Sequence, residues 1–109
     1  RVVNISSVAA QFGGSARSIH YGASKAALEA MTCGFAREGA AMGILVNAIR
    51  AGVIDTPLHG KFRKNMAKRI AMIPLKRMGR PEDVASTVLH LAVDGDFITG
   101  QIISVTGGE

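Results

Sequence analysis

The sequence predicts an α/β fold, with three strands and two long helices in the order β-α-β-loop-helix-β. Three observations carry this reading. Two short apolar runs, Val2-Val3-Asn4-Ile5 and residues 44–49, have strand length and flank a stretch of helical spacing. Pro81-Glu82-Asp83 opens a second helix, with proline in the first turn and two acids near the positive end. A last apolar run, residues 101–105, is closed by Gly107-Gly108.

Each element has its own signal. The first strand is closed by Ser6-Ser7, and residues 8–19 carry Gly13, Gly14, Ser15 and Ser18, which is loop composition. From about Tyr21 to Gly39, Ala23, Ala27, Ala30 and Met31 recur at helical spacing, and Gly39 and Gly43 mark the end. The small residues of this helix suit close approach to a sheet or to another helix. Residues 44–49 are almost continuously apolar, as in a strand buried on both faces of a parallel sheet. The connection between the two strands should be right-handed. Residues 50–60 read as a loop, and residues 61–73 as a short basic amphipathic helix broken by Pro74 and Gly79. The helix from Pro81 runs to about Val93, and Asp94-Gly95-Asp96 turns the chain. Three strands under helices make a thin core, so the piece reads as half of a larger sheet.

Composition sets outer limits. At 109 residues the chain has room for at most one domain, and 48% hydrophobic with 19% charged residues is globular composition. No apolar run reaches membrane-spanning length. A single cysteine, Cys33, excludes an internal disulfide and a four-cysteine metal site, and makes a reducing, cytoplasmic compartment the default. His20, His59 and His90 lack metal-ligand spacing, so no metal is expected. The net charge of +5 is local: residues 61–80 hold Lys61, Arg63, Lys64, Lys68, Arg69, Lys76, Arg77 and Arg80 and no acid. A solvated helix face is the default account of this run. A phosphorylated or acidic substrate is the alternative, and neither nucleic acid nor a membrane is expected as partner.

Three residues stand out chemically. Tyr21 and Lys25 are four apart, so on a helix they share a face. An ammonium near a phenol favours the phenolate, which suits the ring for general acid–base work. Ser7 follows a strand, where α/β folds place groups beside bound ligands. Its hydroxyl could hold a substrate oxygen while the tyrosine moves a proton. By spacing alone, Tyr21 and Lys25 are more simply an ordinary surface pair.

Asn4-Ile5-Ser6-Ser7, then Tyr21-Gly22-Ala23-Ser24-Lys25-Ala26-Ala27-Leu28, then residues 47–56 and Ile98-Thr99-Gly100-Gln101 together resemble the classical short-chain dehydrogenase/reductase family. The resemblance is to the carboxy-terminal half of that fold and covers essentially the whole chain. It implies a partial Rossmann-like, doubly wound parallel sheet. It also implies hydride transfer between NAD or NADP and an alcohol or ketone, on a homo-oligomer, tetramer or dimer. Residues 1–109 would form the carboxy-terminal portion of one NAD(P)-binding domain, with a substrate-binding lid over 57–80. Ser7 would hold the substrate oxygen, Tyr21 would be the acid/base, and Lys25 would hold the nicotinamide ribose. Gly52, Ile54 and Thr56 would line the cofactor, with the Ile54 backbone on the carboxamide. His59 lies in the expected substrate region. His20 beside Tyr21 could line the site, though an exposed loop histidine is the simpler reading of each.

Two departures bear on this. Ala51-Gly52 stands where the family usually has Pro-Gly, which loosens the constraint on φ there. Thr106 stands where an acid is common before the last Gly-Gly. The family's glycine-rich dinucleotide loop is not in this sequence, so the expectation is an enzyme whose preceding segment carries that loop. The 109 residues alone would then be inactive. The alternative is a non-catalytic truncated fragment that keeps substrate-site and oligomer-interface elements.

Overall fold

In the computed structural model, residues 1–61 and 65–109 are described. The order is β1 (Val2–Ser7), α1 (Ala9–Phe12), α2 (Ile19–Gly39), a 3-10 turn (Ala40–Met42), β2 (Val46–Ala51), α3 (Pro57–Lys61), α4 (Met66–Met72), α5 (Pro81–Val93) and β3 (Ile102–Val105). The strands form one parallel sheet in the order β1-β2-β3. This is the α/β class expected, a partial doubly wound sheet flanked by helices.

β2 is the centre of the core. Val46, Asn47, Ala48 and Ile49 are all buried, as a strand between two helix layers requires. Asn47 can lie there because both ends of its amide are bonded: Nδ2 donates to the Ile98 carbonyl (2.8 Å) and Oδ1 accepts the Gln101 N–H (3.0 Å). Those bonds fix the turn that delivers the chain into β3. Ile73 and Leu91, each 1% exposed, complete the core from the segment after α4 and from α5.

Several boundaries differ from the sequence reading, each for a local reason. β2 begins two residues later than expected, because the Ile44 N–H bonds back to the Gly39 carbonyl (3.0 Å) and closes the helix exit at Gly43, φ +69°. It also runs on through Arg50, whose charge is met by Glu29. The expected loop over 8–19 contains α1. The Ala9 N–H finds Ser7 Oγ (3.2 Å), Ala9-Ala10-Gln11 favour a helical turn, and Gly13 at φ +76° ends it. In place of one basic helix over 61–73 there are α3 and α4. Asn65 starts α4 by accepting the Lys68 N–H (3.0 Å), and Pro74 lies just past its end. Phe62, Arg63 and Lys64 of the expected helix lie outside the described residues. α5 matches its expected span, with the Asp83 carboxylate accepting the Arg80 N–H (2.8 Å) at its start.

The face that α2 turns to the sheet is the main surprise. Ala23, Ala27, Ala30 and Met31 are exposed, whereas Gly22, Thr32, Ala36 and Gly39 are buried and Lys25, Leu28 and Glu29 are half-buried. The helix meets β1 through polar contacts. Asn4 Nδ2 donates to Thr32 Oγ1 (2.9 Å), Lys25 Nζ to the Ile5 carbonyl (2.8 Å), and Ser6 Oγ to Glu29 Oε1 (2.8 Å).

Candidate active site

The ladder register sets the stage for the site. Ser7 pairs with Ala51, and Ala51 with Val105, so the three strands end in one row. The segments that leave this carboxyl edge carry Ser7, Gly52, Ile54, Thr56 and Thr106. In open α/β sheets, that edge is where ligands bind.

Ser7 is the last residue of β1, half-buried, with its Oγ accepting the Ala9 N–H. Tyr21 lies in the first turn of α2 and is 41% exposed. Lys25 sits one turn on, its Nζ 5.8 Å from the centre of the Tyr21 ring and bonded to the Ile5 carbonyl two residues before Ser7. The tyrosine end of α2 also reaches the serine end of β1 through backbone. A Cβ on Gly22 would fall 2.6 Å from the Gly13 carbonyl carbon and 2.9 Å from the Ala9 carbonyl oxygen. The absence of a side chain at Gly22 thus lets α2 lie directly on the turn that follows Ser7.

Gly52 fits equally closely. Its N–H bonds to the Val105 carbonyl (3.0 Å), and a Cβ there would lie 2.8 Å from Thr106 Cα. On the other side, the Ala51 carbonyl accepts the Val8 N–H (3.0 Å). The backbone around Ala51-Gly52 is therefore tied to both neighbouring strands without the usual proline. Ile54 forms an isolated parallel bridge with Gly79. Its two bonds use the Val53 carbonyl and the Asp55 N–H, so neither backbone group of Ile54 is spent in it. Thr56 is half-buried before α3, and its carbonyl accepts the His59 N–H (3.2 Å). His59 Nδ1 is buried with no hydrogen-bond partner among the described residues. His20 is exposed next to Tyr21. Cys33 is half-buried in α2, its thiol directed at the Gly100 carbonyl (3.6 Å). His90 lies on the outer side of α5, 3.9 Å from Asp94.

One charged cluster escaped the sequence reading. Arg50 Nε and Nη2 donate to Glu29 Oε1 (2.9 Å) and Oε2 (2.6 Å), a two-pronged pair largely withdrawn from solvent. Arg50 Nη1 reaches Gln11 Oε1 (3.3 Å). The Arg50 hydrogen bonds hold the Glu29 carboxyl below its ordinary range, helped by Ser6 and opposed by burial. Two signals for it were present: an arginine closing an otherwise apolar strand, and an acid one turn after Lys25 on the same helix face.

A family model described as enoyl-(acyl carrier protein) reductase matches residues 1–109. The 3-oxoacyl-[acyl-carrier-protein] reductase FabG of Thermotoga maritima is 41% identical over 109 residues, which cover 98% of this chain and 44% of that protein. A blue fluorescent protein from a metagenomic library, solved in complex with NADPH, is similar at TM-score 0.89 and 37% identity, over 99% of this chain and 44% of that one. A short-chain dehydrogenase/reductase of Brucella melitensis matches at TM-score 0.89 and 36% identity, over 97% and 43%. The chain spans less than half the length of each of these proteins. With the family model matched from end to end and the fold reproduced at this identity, the chain belongs to the short-chain dehydrogenase/reductase family and corresponds to the carboxy-terminal half of its domain.

Proposed function

We propose that the protein carrying this chain is an NAD(P)(H)-dependent oxidoreductase that interconverts an alcohol and a carbonyl compound, with Tyr21 as the acid/base. The observation that carries the reading is that Lys25 Nζ lies 5.8 Å from the Tyr21 ring and bonds to the Ile5 carbonyl, two residues before Ser7 at the carboxyl end of β1. Family membership and the NADPH named with one structural relative support the cofactor. The residues fit its nicotinamide end: Lys25 offers an ammonium for ribose hydroxyls, and Ile54 keeps both backbone groups for a carboxamide. When bound, the nicotinamide supplies or accepts the hydride. Ser7 Oγ holds the substrate oxygen, and the Tyr21 hydroxyl delivers or removes its proton. Lys25 steadies the phenolate electrostatically. Gly52 and Thr56 shape the cofactor wall, while His59, with the described residues of the segment 57–80, faces the substrate.

The name of the Thermotoga relative makes a 3-oxoacyl thioester the first substrate to try. The cationic run before α5 supports an anionic carrier on that substrate. The outward residues Met31 and Phe35 on α2, with Leu89 and Val93 on α5, support a homo-oligomer, and the expected site of action is the cytoplasm. No helix among the described residues is long and apolar enough to cross a membrane.

The test is turnover by the intact protein of NADH or NADPH with acetoacetyl-CoA as probe substrate. Tyr21→Phe should lower kcat by about a hundredfold or more while cofactor binding persists. Near-normal turnover by that variant refutes the assignment.

A further inference from the structure

We propose that Glu29 is a positioning residue for this site: through Ser6 and Arg50 it sets α2 against the carboxyl ends of β1 and β2, and so places Lys25 and Tyr21 relative to Ser7. The inference rests on the acid/base reading above.

Among the described residues, both side-chain partners of Glu29 lie within two residues of the proposed machinery. Ser6, which donates to Oε1 at 2.8 Å, precedes Ser7, and its hydroxyl lies 3.4 Å from the Lys25 carbonyl. Arg50, which grips both carboxylate oxygens, is the ladder partner of Ser6 and precedes Ala51-Gly52. Through Nη1 it reaches Gln11 in α1, the helix that begins two residues after Ser7. Three elements, β1, α2 and β2, thus meet at one carboxylate, and Arg50 extends the cluster to α1. Glu29 itself lies one turn beyond Lys25, whose ammonium is the other charge on this stretch of α2.

Stability alone does not account for such a pair. Its side chains are only 12% (Glu29) and 21% (Arg50) exposed. Desolvating two charges there offsets most of their attraction, and well-packed apolar residues of similar size would hold the elements as firmly. Apolar contacts, however, tolerate sliding. The directional bonds of a two-pronged carboxylate–guanidinium pair do not. A displacement of about 1 Å between reacting groups can cost a hundredfold in rate. The carboxyl is held ionised by Arg50, so the clamp stays charged at neutral pH.

The experiment compares Glu29→Gln, Glu29→Asp, Ser6→Ala and Tyr21→Phe in the intact protein. It measures kcat and KM in both directions, together with the pH–rate profile of alcohol oxidation. Glu29→Gln should lower kcat about ten- to hundredfold with KM for the substrate changed by no more than about twofold. Its oxidation profile should also change, because Lys25 and Tyr21 are no longer held in their geometry relative to Ser7. Ser6→Ala should move both in the same direction by less, and Glu29→Asp should recover part of the loss. A merely structural role would lower the melting temperature and leave the pH profile of the folded enzyme in place. That outcome for Glu29→Gln and Ser6→Ala overturns the inference, and Ser6→Ala, which removes one hydroxyl, decides alone should Glu29→Gln not fold. Full turnover by Tyr21→Phe would instead refute the acid/base reading beneath it.

Discussion

Gly52→Ala isolates one close contact at the carboxyl edge of the sheet. Gly52 is not among the residues with positive φ, so alanine meets no backbone penalty there. The added Cβ would stand 2.8 Å from Thr106 Cα and 3.2 Å from Thr106 Cβ and carbonyl oxygen, where ordinary contact begins at 3.4 Å. The ends of β2 and β3 must therefore part by about 0.6 Å, and the atom in the way is backbone rather than a side chain that can rotate. One bond across the strands resists, the Gly52 N–H to the Val105 carbonyl, and Thr106 is held besides by its Oγ1 donating to the Glu109 carbonyl (3.2 Å). Overpacking of this kind costs about 1–3 kcal/mol, and the stiffer unfolded chain returns about 0.4–1 kcal/mol. The net loss is about 1–2 kcal/mol, a fall in Tm of roughly 2–8 °C in the intact protein, whose relatives are more than twice this length. Urea and thermal unfolding followed by circular dichroism measure it, with Gly34→Ala as control. Gly34 has no atom within 4 Å of an added Cβ and lies inside α2, so that change should stabilise by about 0.5–1 kcal/mol. A Gly52→Ala protein as stable as the parent refutes the close-approach argument. A destabilised Gly34→Ala would mean that another part of the intact protein or a second copy covers that face of α2.

Other outcomes follow from the same structure. Asn47→Ala leaves the Ile98 carbonyl and the Gln101 N–H without partners beside a buried strand; it should cost about 2–3 kcal/mol, read by urea unfolding, and a cost below about 0.5 kcal/mol would show that the turn re-forms without it. Glu29 has a folded-state pKa below its ordinary value of 4.5, chiefly through the Arg50 hydrogen bonds. Its contribution is therefore present above about pH 4.5 and is lost as pH falls through the lower folded value. The stability gap between parent and Glu29→Gln should shrink under acid, and a gap constant from pH 7 to 3 contradicts the assignment. Lys68 is exposed on α4, whereas Arg69 is already paired with the Glu109 carboxylate. With a thioester of an anionic carrier, Lys68→Gln should raise KM about two- to fivefold at low salt and little at high salt. An unchanged KM would return the basic run to a solvated helix face.

The order of the strands and long helices, the α/β class and the family were legible in the chain. Those depend on local signals: strand-length apolar runs, the Pro81-Glu82-Asp83 helix start, and the Tyr21–Lys25 spacing, which needs only a helix to become one face. Which face of α2 meets the sheet was not legible. The small residues suited a sheet or another helix alike; the alanine stripe is exposed, and the helix docks on the sheet through Lys25, Glu29 and Thr32. Polar residues can occupy that side only because β1 offers matching groups at Asn4, Ile5 and Ser6, and no periodicity encodes a partner 20 or more residues away in the chain. The Glu29–Arg50 pair was hidden for the same reason, since each half reads as an ordinary charge until Ser6 and Arg50 stand side by side in the ladder. Register likewise brought Ser7, Ala51 and Val105 level. The chain names its chemistry locally, but the distances that chemistry requires are set by contacts between elements far apart in sequence.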